Sequence, residues 1–141
     1  MNQPLTSVRC TVDARVGTPQ HVSTPVPAQL HYDLTDPCAV RLSLGAPLTS
    51  PVDWVFARDL LTEGLRLPAG VGDVLVSPLI TDHTRRVRIT LRSAAGAAVV
   101  DVDAAETEEF LRQSFALVPP GAESAHIDLD RAVAEVMGRS A

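Results

Sequence analysis

The sequence predicts an α+β domain: about seven strands, a short helix inserted after the fourth, and two helices at the C-terminus. Three observations carry that expectation. Apolar and polar residues alternate in about seven stretches between residues 7 and 103. Inside "VDWVFARDLLTEGLRLPAGVGDV" (52–74) the period switches from that of a strand to that of a helix. Beyond Asp103 the apolar positions keep helical spacing.

The first strand covers 7–16, "SVRCTVDARV", with Val8, Cys10, Val12, Ala14 and Val16 on one face and Arg9, Thr11, Asp13 and Arg15 on the other. "GTPQHVSTPVP" (17–27) is rich in Pro, Gly and Thr and reads as a loop, because Pro25 and Pro27 suit only a strand start or edge. "AQLHYDL" (28–34) and "CAVRLSL" (38–44) flank a "TDP" turn and form a hairpin. After "GAPLTSP", Val52, Trp54 and Phe56 share one strand face. From there Ala57, Leu60, Leu61 and Leu65 sit at helical spacing, with Arg58, Asp59, Thr62 and Glu63 mostly outward. Gly64 is weak inside a helix and Pro68 cannot continue one, so the helix ends there.

Three strands follow at 72–79, 85–93 and 97–103, the last two joined by "AAG". Asp103 is placed to cap a helix over 104–117, with Glu106 as its capping-box partner. Phe110, Leu111, Phe115 and Val118 make its buried stripe, and "PPG" (119–121) ends it. A last helix starts at Asp128 and buries Leu129, Val133, Val136 and Met137.

Composition narrows the function classes. The chain of 141 residues, 45% apolar and only 4% aromatic, fits one domain (1–141) with a core of Val, Leu and Ala. Every basic residue is arginine, which excludes mechanisms built on a lysine Schiff base or a P-loop lysine. A net charge of −5 repels a phosphate backbone unless arginines gather on one face. The start "MNQPLTSVRCTVDARV" has no basic segment followed by an apolar run, and no stretch is long enough to span a bilayer. The expectation is a cytosolic protein, with Cys10 and Cys38 as reduced, buried thiols.

No chemistry-bearing constellation stands out. His21, His31, His83 and His126 lack metal-ligand spacing. There is no GxSxG elbow, Cys10 falls on an apolar face, and the glycines of "PAGVGD" lead into a strand rather than a phosphate-binding helix. Asp101/Asp103 and Glu108/Glu109 fit a cap and a solvated helix face better than an acid–base dyad. One charge pattern remains: Arg86, Arg88 and Arg92 share a strand face opposite Val87, Ile89 and Leu91. It is read first as cross-strand pairing with Asp73 or the acids at 101–103. Contact with an acidic protein comes second. Nucleic acid comes last, since no aromatic rings interleave to stack bases.

Three stretches, "PVPAQLHYDLTDPCAV" (25–40), "VDWVFARDLLTEGLRLPAGVGDV" (52–74) and "FALVPPGAESAHIDLD" (115–130), resemble in order and spacing the SsgA-like family of actinobacterial proteins of sporulation-specific cell division. The resemblance covers roughly 6–137. It implies a barrel-like, whirly-like antiparallel sheet with helices, a trimer, no enzymatic activity, no cofactor and no metal. It also implies protein contacts with the tubulin-like division GTPase FtsZ and with other family members, at division septa. The chain departs from the pattern at Cys38 and Ser77, where aromatics are expected.

Within that frame the strand–helix junction reads as scaffold. Trp54 and Phe56 point inward and Leu60, Leu61 and Leu65 close over them, each burial contributing roughly 1.5–3 kcal/mol. The outer helix face, Arg58, Asp59, Thr62 and Glu63, reads either as part of a partner or subunit surface or as a solvated helix face. Two functional readings follow: an oligomeric adaptor organising FtsZ, and a single-strand nucleic-acid binder using Arg86, Arg88 and Arg92.

Overall fold

A computed structural model describes residues 6–45, 52–70 and 72–125. Seven strands form one antiparallel sheet: β1 (Ser7–Thr18), β2 (His21–Asp33), β3 (Ala39–Leu44), β4 (Val52–Ala57), β5 (Val74–Thr81), β6 (Thr84–Ser93) and β7 (Gly96–Asp103). Helix α1 (Arg58–Gly64) follows β4, and α2 (Ala104–Leu117) follows β7, with a single 3₁₀ turn at Glu123–Ala125. The expected last helix, from Asp128, and its stripe lie outside the described residues.

The strand order is β4-β3-β2-β1-β7-β6-β5. Two meanders therefore meet where β1 pairs with β7, from Ala14↔Val102 to Gly17↔Val99. The sheet is open, with β4 and β5 as its edges, and does not close into a barrel. The linker after α1 covers part of one edge: Ala69 and Val76 exchange both backbone hydrogen bonds, at 2.8 and 2.9 Å.

The alternation seen in the sequence sorts the faces. Val8, Val12 and Ala14 of β1, Ala28, Leu30 and Tyr32 of β2, Val40 and Leu42 of β3, and Phe56 of β4 all enter one core. Val76, Val87, Ile89, Leu91, Val100 and Val102 continue it, and Phe110, Leu111 and Val118 close it from α2. Cys10 is only partly buried and Cys38 is exposed, so the expectation of two buried thiols fails; both are free.

The largest correction concerns 17–27. The hairpin is longer than its composition implies, and β2 begins at His21. Pro27 lies opposite Asp13 and Pro25 opposite Arg15. The Asp13 N–H turns away from β2 and donates to Glu106 Oε1 at 2.8 Å, while the Pro27 carbonyl accepts from Gly45 on the other side. Both prolines thus occupy positions where the β1–β2 ladder needs no donor, and neither breaks it. The same Glu106 bond amends the capping box. Asp103 Oδ2 accepts from the Glu106 N–H as expected, at 2.9 Å, but the Glu106 carboxylate reaches across to β1. Between β5 and β6, Asp82 and His83 both take positive φ (48° and 63°), the backbone of a tight type I′ hairpin turn.

Candidate functional site

The β4–α1 junction is built around Arg58. Phe56 is the last inward residue of β4, Ala57 caps α1 in an extended conformation, and the first helical residue turns back under the sheet. Arg58, Leu61 and Gly64, three apart, form the buried face of α1. Arg58 is only 1% exposed, and the expectation that it points outward is overturned. Its Nη1 donates to the carbonyls of Val118 (2.8 Å) and Ser114 (3.2 Å), and its Nη2 donates to Glu123 Oε1 (2.7 Å). The guanidinium lies between two rings, its carbon 4.7 Å from the Tyr32 centroid and 4.6 Å from that of Phe115.

One cation thus neutralises the C-terminal end of α2, fixes the 3₁₀ turn through Glu123 and stacks on two aromatic faces. The hydrogen bond from Arg58, aided by backbone N–H donors, holds the Glu123 carboxyl below the usual glutamate range. Burial pushes the Tyr32 phenol up, and its O–H donates to the Pro37 carbonyl at 2.8 Å. The sequence carried one signal for this arrangement. Arg58 shares its helical face with Leu61 and Gly64, and Tyr32 shares its strand face with Leu30. What the spacing could not show was that α2 ends beside them.

The rest of the predicted helix surface is where it was expected. Asp59 and Glu63 are exposed and Thr62 half-buried, its hydroxyl donating to the Arg58 carbonyl at 2.9 Å. Neither Asp59 nor Glu63 forms an ion pair with the described residues. Leu61 is fully buried, while Trp54, Leu60 and Leu65 pack partly buried against the core.

On β6 the arginines are largely spent on neighbours. Arg88 sits opposite Asp101 in register and donates to both carboxylate oxygens, at 2.9 and 3.0 Å. Arg86 reaches Asp13 at 3.0 Å. Arg92 remains exposed, its backbone N–H bonded to the Asp73 carbonyl. Arg88 thus makes the cross-strand pairing expected first, whereas Arg86 turns to Asp13 of β1 instead of the acids at 101–103. An open cleft of about 430 Å³ lies beside them, lined by Arg15, Arg86, Arg88 and Asp101 among others.

Among the described residues no group of three or more His, Cys, Asp or Glu side chains is placed to hold a metal ion. No helix among them is long and apolar enough to cross a membrane. What the geometry offers is a rigid framework with charged outer surfaces.

A family model described as "Streptomyces sporulation and cell division protein, SsgA" matches residues 26–123. The chain belongs to the SsgA family. It is 42% identical to the sporulation-specific cell division protein SsgB of Streptomyces coelicolor, over 96% of this chain and 98% of that one. The SsgB protein of Kineococcus radiotolerans is 44% identical, over 94% of this chain and 81% of the relative. A crystal structure of an SsgA-like sporulation-specific cell division protein from Thermobifida fusca superposes with a TM-score of 0.84 at 38% identity, covering 96% and 98% of the two chains. The Arg58 junction and the "VPPG" turn it ties down both fall within the matched span.

Proposed function

We propose that this chain is a non-enzymatic adaptor of sporulation-specific cell division. It acts in septum-site selection or septum assembly by recruiting or organising FtsZ, as a homotrimer located at division septa. The observation that carries this reading is full-length kinship with proteins named for sporulation-specific cell division. The surface supports it. Arg58, Arg86 and Arg88 are engaged in internal ion pairs, whereas Asp59 and Glu63 stand exposed on α1 without an ion pair to any described residue. Two like charges one helical turn apart repel slightly, and a cationic partner or neighbouring subunit relieves them.

Co-sedimentation with FtsZ polymers tests the reading: the chain is expected in the pellet with polymer and in the supernatant without it. Light scattering of the free chain should give three times the monomer mass. Asp59→Arg with Glu63→Arg should weaken either capture or assembly while leaving the thermal midpoint nearly unchanged. If neither moves, α1 is not the docking surface; if wild type stays in the supernatant, FtsZ is not a direct partner.

A further inference from the structure

A second surface has the chemistry of a peptide dock. Between the end of α1 and the flank of α2 runs an open groove of about 350 Å³. Its floor is apolar, formed by Leu65, Leu111 and Phe115, and Thr62 stands on its α1 side. Its rim carries Arg66, Arg85 and Arg112, against one lining acid, Glu108. In a chain of net charge −5 this is a local inversion of sign. Arg66 makes no ion pair with the described residues. Arg85 with Glu108, and Arg112 with Glu109, are surface pairs whose members are roughly half exposed. The single-contact Arg85–Glu108 pair contributes little and re-pairs readily, while Arg112 holds Glu109 through Nε and Nη2 and makes no bond from Nη1 among the described residues.

We propose that this groove receives a short acidic, amphipathic segment of a partner protein. An apolar anchor fills the floor over Leu65, Leu111 and Phe115, and flanking carboxylates meet Arg66 and Arg112. This rests on the adaptor reading, which requires a protein partner, and adds the surface and the chemistry of what it holds. A buried apolar anchor inside a charged rim is the arrangement that concentrates binding energy while the rim sets specificity. The floor belongs to the framework already described. Phe115 stacks on Arg58 with one face, so the α2 wall is fixed before any partner arrives.

The probe is a fluorescein-labelled synthetic amphipathic peptide of about four helical turns, with Leu and Phe on one face and Glu on the other. Its mate carries Lys in place of Glu. The acidic peptide should bind saturably below about 1 mM, more weakly at higher salt, and the basic mate should not. Arg66→Glu and Arg112→Glu, both on the surface, should each weaken binding about three- to tenfold. Thr62→Trp, which fills the groove without opening the core, should abolish it; circular dichroism confirms that each variant is folded.

Absence of acidic-peptide binding, or binding indifferent to all three substitutions, overturns the groove and leaves the adaptor reading in place. A wild-type mass that drops on Thr62→Trp assigns the groove to contact between copies and overturns it too. Failure of the unmodified chain to sediment with FtsZ is a separate result. It removes FtsZ as partner and leaves acidic-peptide binding at the groove intact.

Discussion

Arg58 is the side chain on which the most separate parts of the molecule converge: β2 through Tyr32, the end of α2 through Ser114 and Val118, and the 3₁₀ turn through Glu123. Its Nε is buried without an acceptor among the described residues, so the arrangement is not free of cost; its three hydrogen-bond partners and two ring contacts have to offset that desolvation. Arg58→Ala should therefore cost roughly 3–5 kcal/mol, since it strands the carbonyls of Ser114 and Val118 and the Glu123 carboxylate as well as opening a cavity. Arg58→Lys should recover less than half, because an ammonium cannot serve both sides or stack flat between two rings. Urea unfolding of the three proteins checks this, and equal midpoints for Lys and Arg would sink it. Glu123 supplies a pH test. Its folded pKa lies below the unfolded value, so its contribution is complete above the ordinary glutamate range and disappears as pH falls through the lowered value. Glu123→Gln should thus cost about 1–2 kcal/mol at neutral pH. That gap should close on acidification; a gap that stays constant down to acid unfolding would contradict the Arg58 pairing.

At the scale of elements, α1 is short and held by position more than by propensity. At Gly64 a methyl group would stand 2.1 Å from Val76 Cγ1 and 2.5 Å from its Cβ, so the helix end presses directly on β5. Helix propensity alone favours Gly64→Ala by about 1 kcal/mol. The clash reverses the sign, and a net loss of about 1–3 kcal/mol is expected in thermal or urea unfolding. A stabilised Gly64→Ala protein would mean that α1 stands further from β5. The residues that made the elements legible are those whose period survives folding. Val8 to Val16, Val87 to Leu91 and Phe110 to Val118 alternate or repeat in the sequence as they do in the core. Residues 21–27 were not legible, because pairing with β1 places Pro25 and Pro27 where no donor is needed, a fact set by register rather than composition. Arg58 was misplaced for a related reason. A charged residue at a helix start is ordinarily outward, and only the tertiary approach of Phe115, Val118 and Glu123 makes its burial affordable.

For the whole molecule, the question is whether the arginines add up to a field. They do not behave as a single stripe. Arg88 is bound by Asp101 through two hydrogen bonds and Arg86 by Asp13, so both of these positive side chains carry their own counter-charge. Binding to nucleic acid draws its strength from released counterions, and an arginine already neutralised by a carboxylate releases few. Breaking the Arg88–Asp101 pair to free the cation leaves a carboxylate that is 5% exposed without a partner, a penalty a phosphate contact has to repay first. The alternating rings that stack single-stranded bases are also missing, since the outward positions between these arginines hold Thr90 and no aromatic. With a net charge of −5 over the chain, the expected result is no saturable binding of a single-stranded oligonucleotide near physiological salt by fluorescence anisotropy. Tight binding whose affinity falls steeply with salt, and which Arg88→Ala and Arg92→Ala weaken together, would show that the β6 face works as a phosphate track and that the internal ion pairs open to allow it.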